Sequence, residues 1–372
     1  MTVFALSLAS LALFIGVWGT RNRASVTILY SFTGEKDGEF PFTKLLEAGD
    51  GGFYGSTYQG GAGNEGAIFR LTTNGTITIL DSVAGTKGAV VQTKDFNLYG
   101  VSWNGGTYRK GSVFRISTNG GFTVLYSFTG ANDGETPSAG LVQGDDLGLY
   151  GATFRGGSHG NGTIFRITTN SVLTVIYSFK SRADGDSPYG RLVKGTDGVL
   201  YGTTSHGGPN NRGAVFKITT NGTFTIMHAF TADDGGSGPL EALLEAPDGD
   251  LYGDTMGNMY ENGALFKINK NGKFTILHTF QGKNDHDPGE LVAGQDGYLY
   301  TTTRSSGRYH HGAIVRIGTN GAFTVLHSFR GAPDGSEPQA SLVRGSDGYF
   351  YGTTGAGGVH EHGTIFRLVI PH

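Results

Sequence analysis

The chain has no cysteine in its 372 residues, which excludes disulfide frameworks, thiolate metal sites and cysteine nucleophiles. It also lacks an excess of charge of either sign. Lys and Arg total 28, Asp and Glu total 31, and the net charge is −3. With no basic field, no nucleic-acid partner is expected. Beyond residue 25 no stretch holds apolar residues at helical spacing, so helices should be almost absent. Nor is there a phosphate-binding glycine loop, a Ser-His-Asp spacing or a paired-Glu motif. Nothing in the sequence argues for hydrolysis, and no cofactor is expected.

What is abundant is glycine, 65 residues, together with 12% aromatics. Aromatics in that proportion argue against disorder. The first 25 residues stand apart. Val3 to Gly19 is uncharged and is followed by Arg21 and Arg23, the pattern of a signal-peptide core or a short N-terminal membrane anchor. Either reading predicts export, to the medium or the cell surface. No second apolar run follows, so no C-terminal anchor is expected.

The remainder repeats. Thr196 to Phe230 reads TDGVLYGTTSHGGPNNRGAVFKITTNGTFTIMHAF, and edited copies of it recur around seven marker tyrosines: Tyr54, Tyr99, Tyr150, Tyr201, Tyr252, Tyr300 and Tyr351. An aspartate precedes each marker by four positions, from Asp50 through Asp347. Downstream comes a Gly-x-x-Phe strand, with Val315 replacing Phe in the sixth copy. A turn follows in the first six copies, and in five of them it is Asn-Gly, the strongest two-residue hairpin signal.

Each copy predicts four strands. Strand a follows the proline, as in Pro137 to Val142; b is the Tyr-Gly-Thr segment; c is Gly-x-x-Phe-Arg; d is the Phe122 to Phe128 type. Strand d is apolar on both faces, as befits a sheet packed between two others. Four strands in roughly fifty residues is the period of a propeller blade. The seventh copy stops after strand c, and Val26 to Phe32 is a strand d with no blade before it. A closed ring accounts for both facts and leaves no exposed edge. The predicted fold is all-β: a seven-bladed β-propeller over residues 26–370, whose last blade is completed by the N-terminal strand. A monomer is expected.

Two classes of connection vary in length, the d–a loops and the b–c loops. In a meander these leave on one face, while the a–b and c–d turns leave on the other. Variable loops on a rigid frame mark the candidate binding face.

The blade grammar DGVLYGTTSHGGPNNRGAVFKITTNG, seven times in phase, resembles the GloVer (choice-of-anchor) tandem repeats. The resemblance covers the chain after residue 25. It implies an exported or surface-displayed repeat protein and carries no established activity with it.

Site candidates follow from the departures from repetition. At the start of the b–c loops the copies carry Tyr58, Trp103, Phe154, Ser205, Met256, Arg304 and Gly355, with Asn104, Arg155 and His206 next in line. These aromatics either cover the blade interfaces or, beside amide, guanidinium and imidazole groups, stack on sugar rings. On the second reading Tyr58, Trp103, Asn104, Phe154, Arg155, His206, Met256 and Arg304 bind a glycan or a surface protein. An alternative is a polysaccharide lyase in which Arg304 neutralises a uronate carboxylate and His206, Tyr309 or His310 takes the proton. A purely structural or adhesive repeat protein is the third possibility. The marker aspartates, and a second series including Asp37, Asp133, Asp184, Asp234, Asp285 and Asp334, are expected to make turns. Calcium needs six to eight converging oxygens, which scattered carboxylates do not supply. His360 and His362 on a glycine loop are a faint zinc pattern, so no metal is expected. His228, His278 and His327 occupy a strand-d position held elsewhere by Tyr and are expected to pack.

Overall fold

The Leu-Tyr-Gly segments become the most buried strands of the chain; Leu98–Ser102, Leu200–Thr204 and Leu251–Thr255 are buried at every position. The reason lies in paired volumes. A Cβ on Gly202 would come within 2.5 Å of the Phe216 ring tip on strand c, so Tyr-Gly and Gly-x-x-Phe require one another. The sixth blade tests the pairing, because there Thr301 stands in the glycine position and lies opposite Val315 rather than a phenylalanine. The smaller side chain on strand c makes room for the larger one on strand b.

The computed structural model describes residues 24–371 apart from 83–87, 118–119, 139, 181–183, 237, 256–262 and 281–287. They form seven antiparallel sheets, each a meander of strands a to d. The ring closes as the sequence predicts. Ser25–Ser31 pairs antiparallel with Thr364–Val369, in register Ser25↔Val369 to Ser31↔Thr364. The amide of Phe32 donates to the Gly363 carbonyl at 3.0 Å. The c–d pairs carry a β-bulge, as at Ile164/Phe165 and Val215/Phe216, and the closing pair carries its own at Ile28/Tyr30. The borrowed strand is thus a strand d in its irregularity as well as in its sequence.

The core lies between blades. Tyr150, Ile164 and Phe179 of blade 3 pack on Leu192, Leu200, Phe216 and Ile218 of blade 4. Equivalent clusters join the other neighbours, including Phe32, Tyr351 and Ile365 of blade 7 with Leu45, Phe53 and Phe69 of blade 1.

Strand a departs from expectation. Its hydrogen-bonded part is two residues, Val142–Gln143 in blade 3, rather than a run from Pro137. The preceding residues lie close to the axis, where converging blades leave no room for longer pairing. A Cβ on Gly140 would meet the Ala89 carbonyl oxygen at 2.6 Å, and one on Gly190 the Glu241 carbonyl oxygen at 2.5 Å. In blade 3 a separate segment, Glu135–Pro137, pairs with the far end of strand b.

Both aspartate series are structural, and they do more than start turns. Asp50, Asp95, Asp146, Asp197, Asp248, Asp296 and Asp347 each accept from the hydroxyl of the marker Tyr four residues on, at 2.5–3.0 Å. All seven also accept from the amide two residues on, as Asp50 does from Gly52 at 3.0 Å. That double contact is the physical cause of the fixed four-residue spacing. In the second series Asp37 accepts from Tyr30 and from the Thr33 amide, both at 2.8 Å, and so ties strand d to its loop. His228 and His327 replace this Tyr and pair with Asp234 and Asp334 at 3.0 and 3.2 Å. His228 also stacks on Phe274 with ring centroids 4.0 Å apart. Asp285 lies outside the described residues.

Candidate ligand pocket on the axis

The d–a and b–c loops do emerge together. Asp186 and His206 exchange backbone hydrogen bonds at 2.8 and 3.1 Å, and Ser336 and Ala356 do so at 2.7 and 3.0 Å. On this face the residues leading into strand a converge on the axis and line a cavity of about 270 Å³.

The residue immediately before the buried Leu or Val of strand a points into that convergence. Around the ring it is Lys44, Ala89, Gly140, Arg191, Ala242, Glu290 and Ser341. Three of them lock together across the axis. One oxygen of Glu290 accepts from Lys44 Nζ at 2.6 Å and from Arg191 Nη2 at 3.0 Å. Burial pushes the Glu290 carboxyl up, but the two cations outweigh it and hold it below its ordinary value. Blades 1, 4 and 6 are thereby cross-linked at the cavity.

The walls differ around the circle. Phe42 and Tyr58 of blade 1 lie 6.0 Å apart by ring centroids, and Tyr189 of blade 4 also lines the cavity. Behind Tyr189 stand Trp103 and Phe154, stacked on each other at 6.0 Å and both edge-on to it, at 6.2 and 5.9 Å. Burial raises the Tyr189 phenol above its usual range, and the nearby Glu241 and Tyr58 add to the effect. Polar residues share these walls: Glu241, Gln339 and Ser341 also line the cavity, and an adjoining depression of about 240 Å³, lined by Tyr189 and Glu241 as well, continues it past Asp254 and Arg304. Asp254 is only 3% exposed, on strand b where other blades carry Ser, Val, Ala or Thr.

The sequence-predicted residues are divided by this geometry. Tyr58 lines the cavity and Arg304 its extension. Trp103 and Phe154 buttress Tyr189, and Arg155 lies over the Phe154 ring at 5.5 Å. Asn104 is exposed on the same loop. His206 is exposed, with its ring nitrogen 2.9 Å from the Ser205 hydroxyl. Arg304 is engaged with Glu337 at 2.9 Å. Tyr309 and His310 are exposed on the outer b–c loop of blade 6 and line none of these cavities. Met256 falls outside the described residues. His362 pairs with Glu39 at 2.7 Å. Among the described residues no group of three or more His, Asp or Glu is arranged to hold a metal ion.

Lys44, Tyr189, Arg191, Glu241, Asp254 and Glu290 were not singled out by sequence. The signal was present in two forms. One is an irregular column just before the strand-a Leu, and the other is a lone Asp in the Tyr-Gly-Thr strand.

Comparison with known proteins agrees with the architecture. A family model described as the Gloeobacter/Verrucomicrobia repeat matches residues 81–257 and 238–371. No curated protein matches the chain. Two solved structures of the same extracellular domain from B. thetaiotaomicron superpose on it. One, of a protein described as a one component system, gives a TM-score of 0.61 at 13% identity over 93% of this chain and 42% of the other. The second, described as a hybrid two component system, gives 0.62 at 10% identity over 91% and 39%. The present chain therefore matches about two fifths of each. A gluconolactonase from Xanthomonas campestris gives 0.48 at 13% identity over 75% and 88%, too low a score to carry an argument. At these identities the likeness is of fold alone.

Proposed function

The chain belongs to the Gloeobacter/Verrucomicrobia repeat family, and from that premise we propose that it is an exported, non-catalytic propeller binding a glycan in the axial pocket of its loop face. The observation that carries this reading is a pocket in which aromatic rings and polar groups stand side by side. Phe42, Tyr58 and Tyr189 offer faces for the C–H surface of a sugar ring. Beside them, Glu241 and Asp254 supply acceptors and Lys44 and Arg191 supply donors, the mixture that hydroxyl groups require. Anionic and cationic side chains are balanced there, which suits a neutral sugar.

Binding is favoured over lyase chemistry because the candidate bases lie apart from this pocket. Within it, Tyr189 holds its proton more tightly than an ordinary phenol, which is unfavourable for a base. Titration calorimetry against a panel of neutral and acidic oligosaccharides tests the proposal. Tyr189→Ala is expected to weaken binding about tenfold, the equivalent of about 1.4 kcal/mol, while His206→Ala leaves it unchanged. Binding that survives both Tyr58→Ala and Tyr189→Ala would refute the site. Release of unsaturated uronate, read by absorbance, would replace the passive reading with the lyase.

A further inference from the structure

The face opposite the pocket consists of tight turns, and there the blades have most reason to be alike. Five of the seven a–b turns place glycine after the aspartate in left-handed backbone: Gly51, Gly198, Gly249, Gly297 and Gly348, with φ from 71° to 87°. Blades 2 and 3 instead hold Phe96 at φ 62° and Leu147 at φ 61°. A bulky side chain in that conformation is strained by about 1 kcal/mol or more. The strain gains no burial, since Phe96 is 64% and Leu147 49% exposed. In the neighbouring c–d turn of blade 3, Ser171 is also left-handed and Val172 is 61% exposed. Strained turns that hold apolar groups in water do not serve folding.

Two further observations say what covers them. First, blades 6 and 7 present Tyr298 and Tyr349 on the same face, with the guanidinium groups of Arg316 and Arg367 over their rings at 4.4 and 5.2 Å. Tyrosine with arginine is the chemistry of a lipid–water interface. Blade 5 puts Asp250 at the equivalent position, paired with Lys267 at 2.7 Å, so the aromatic and apolar tips fall on blades 6, 7, 2 and 3, with the glycines Gly51 and Gly52 of blade 1 between them. Second, the chain enters the ring among these blades. Strand d runs from the turn face to the loop face, and in blade 7 its first residue, Ser25, pairs with Val369. The uncharged run Val3 to Gly19 thus joins the propeller at the turn face.

We propose that the turn face is a membrane-docking surface. Phe96, Leu147 and Val172 enter the headgroup region of a bilayer, Tyr298 and Tyr349 sit at its interface, and the axial pocket is held facing away from lipid. This is independent of what the pocket binds.

Because the chain has no cysteine, single-cysteine labelling tests the orientation without interference. Lys94→Cys marks the turn face and His360→Cys the loop face. Each full-length protein carries an environment-sensitive fluorophore and is reconstituted with vesicles of phosphatidylethanolamine and phosphatidylglycerol. The label at 94 is expected to shift to the blue and be quenched by nitroxide lipid, and the label at 360 to do neither. Adding Phe96→Asp and Leu147→Asp is expected to abolish the quenching at 94, with circular dichroism confirming the fold. The proposal is overturned by equal responses at both positions or by a water-like spectrum at 94 on vesicle-bound protein. A blue shift at 94 that follows protein concentration without lipid would also overturn it, since that is the mark of a second copy.

Discussion

Removing one ring from the closing strand probes the circle at its only non-covalent junction. Phe32 is 0% exposed and packs on Tyr30 at 5.2 Å and Phe69 at 5.3 Å. Phe128 is its counterpart in blade 3, also 0% exposed, with Tyr126 and Phe165 at 5.3 and 5.2 Å. Deleting such a side chain costs about 3–5 kcal/mol in transfer and cavity terms. The two environments match, so Phe32→Ala and Phe128→Ala should destabilise alike. They differ in one respect. The strand bearing Phe128 follows its sheet partner through a short turn, whereas the strand bearing Phe32 can leave its blade without unfolding anything else. The cost of Phe32→Ala is therefore capped by the free energy of strand docking. Parallel urea denaturation measures both, and amide exchange at Val26 and Ile28 reports local detachment. A loss below about 1 kcal/mol for Phe32→Ala, with Phe128→Ala in the expected range, would show a loosely held latch and refute the tightly closed ring.

Other perturbations follow from named contacts. Glu290→Gln leaves Lys44 and Arg191 facing each other without a carboxylate and should cost about 3–5 kcal/mol by denaturant unfolding, as the breaking of buried pairs does. The depressed Glu290 carboxyl adds stability that is present above its ordinary pKa of 4.5 and is lost as pH falls through the lower folded value, so Glu290→Gln should flatten the acid limb of stability against pH. Burial and an aspartate partner push the phenols of Tyr30, Tyr99 and Tyr126 up to about 12 from 10.0. The stabilisation is then complete below pH 10 and lost on rising through about 12, and tyrosinate absorbance should rise together with loss of circular dichroism. Finally, Thr301→Gly opens a void and Val315→Phe overpacks, each costing about 1–3 kcal/mol. The double variant should cost less than the sum, a coupling that a double-mutant cycle measures.

The fold was legible because most of its determinants repeat. Tyr201 needs Asp197 four residues earlier to satisfy its hydroxyl, and Gly202 needs Phe216 to fill the space above it. These needs recur in each blade and appear in the sequence as fixed spacings. The orphan strand at Val26 was legible for the same reason, since it carries the Tyr and Phe of a strand d. The short strand a was misread because its length is limited by neighbouring blades at the axis, a constraint between copies that no single copy displays. Loop lengths pointed to the face that carries the axial cavity, but the reading favoured the b–c loops and so named Tyr58, Trp103 and Phe154 without Tyr189. His206 and His310 were attractive by residue type, and their outward placement could not be read from spacing.

A ring of near-identical blades has pseudo-sevenfold symmetry that a single glycan does not share, so recognition of the kind proposed would reside where the copies disagree. Conservation among copies and function are then expected to be inversely related along each blade. At the marker Tyr there is no disagreement, and the hydroxyl is consumed by an aspartate. At the position before the strand-a Leu the disagreement is nearly complete, and Lys44, Arg191 and Glu290 meet there. A charged residue at one such position would point a desolvated charge at the axis, whereas three from non-adjacent blades neutralise one another. The same logic applies on the opposite face, where Phe96, Leu147, Val172, Tyr298 and Tyr349 depart from the common turn. The two faces break symmetry in different chemistry, one polar and aromatic around a cavity, the other apolar at projecting tips. The proposed ligand pocket and the proposed docking surface each draw on one of these two departures.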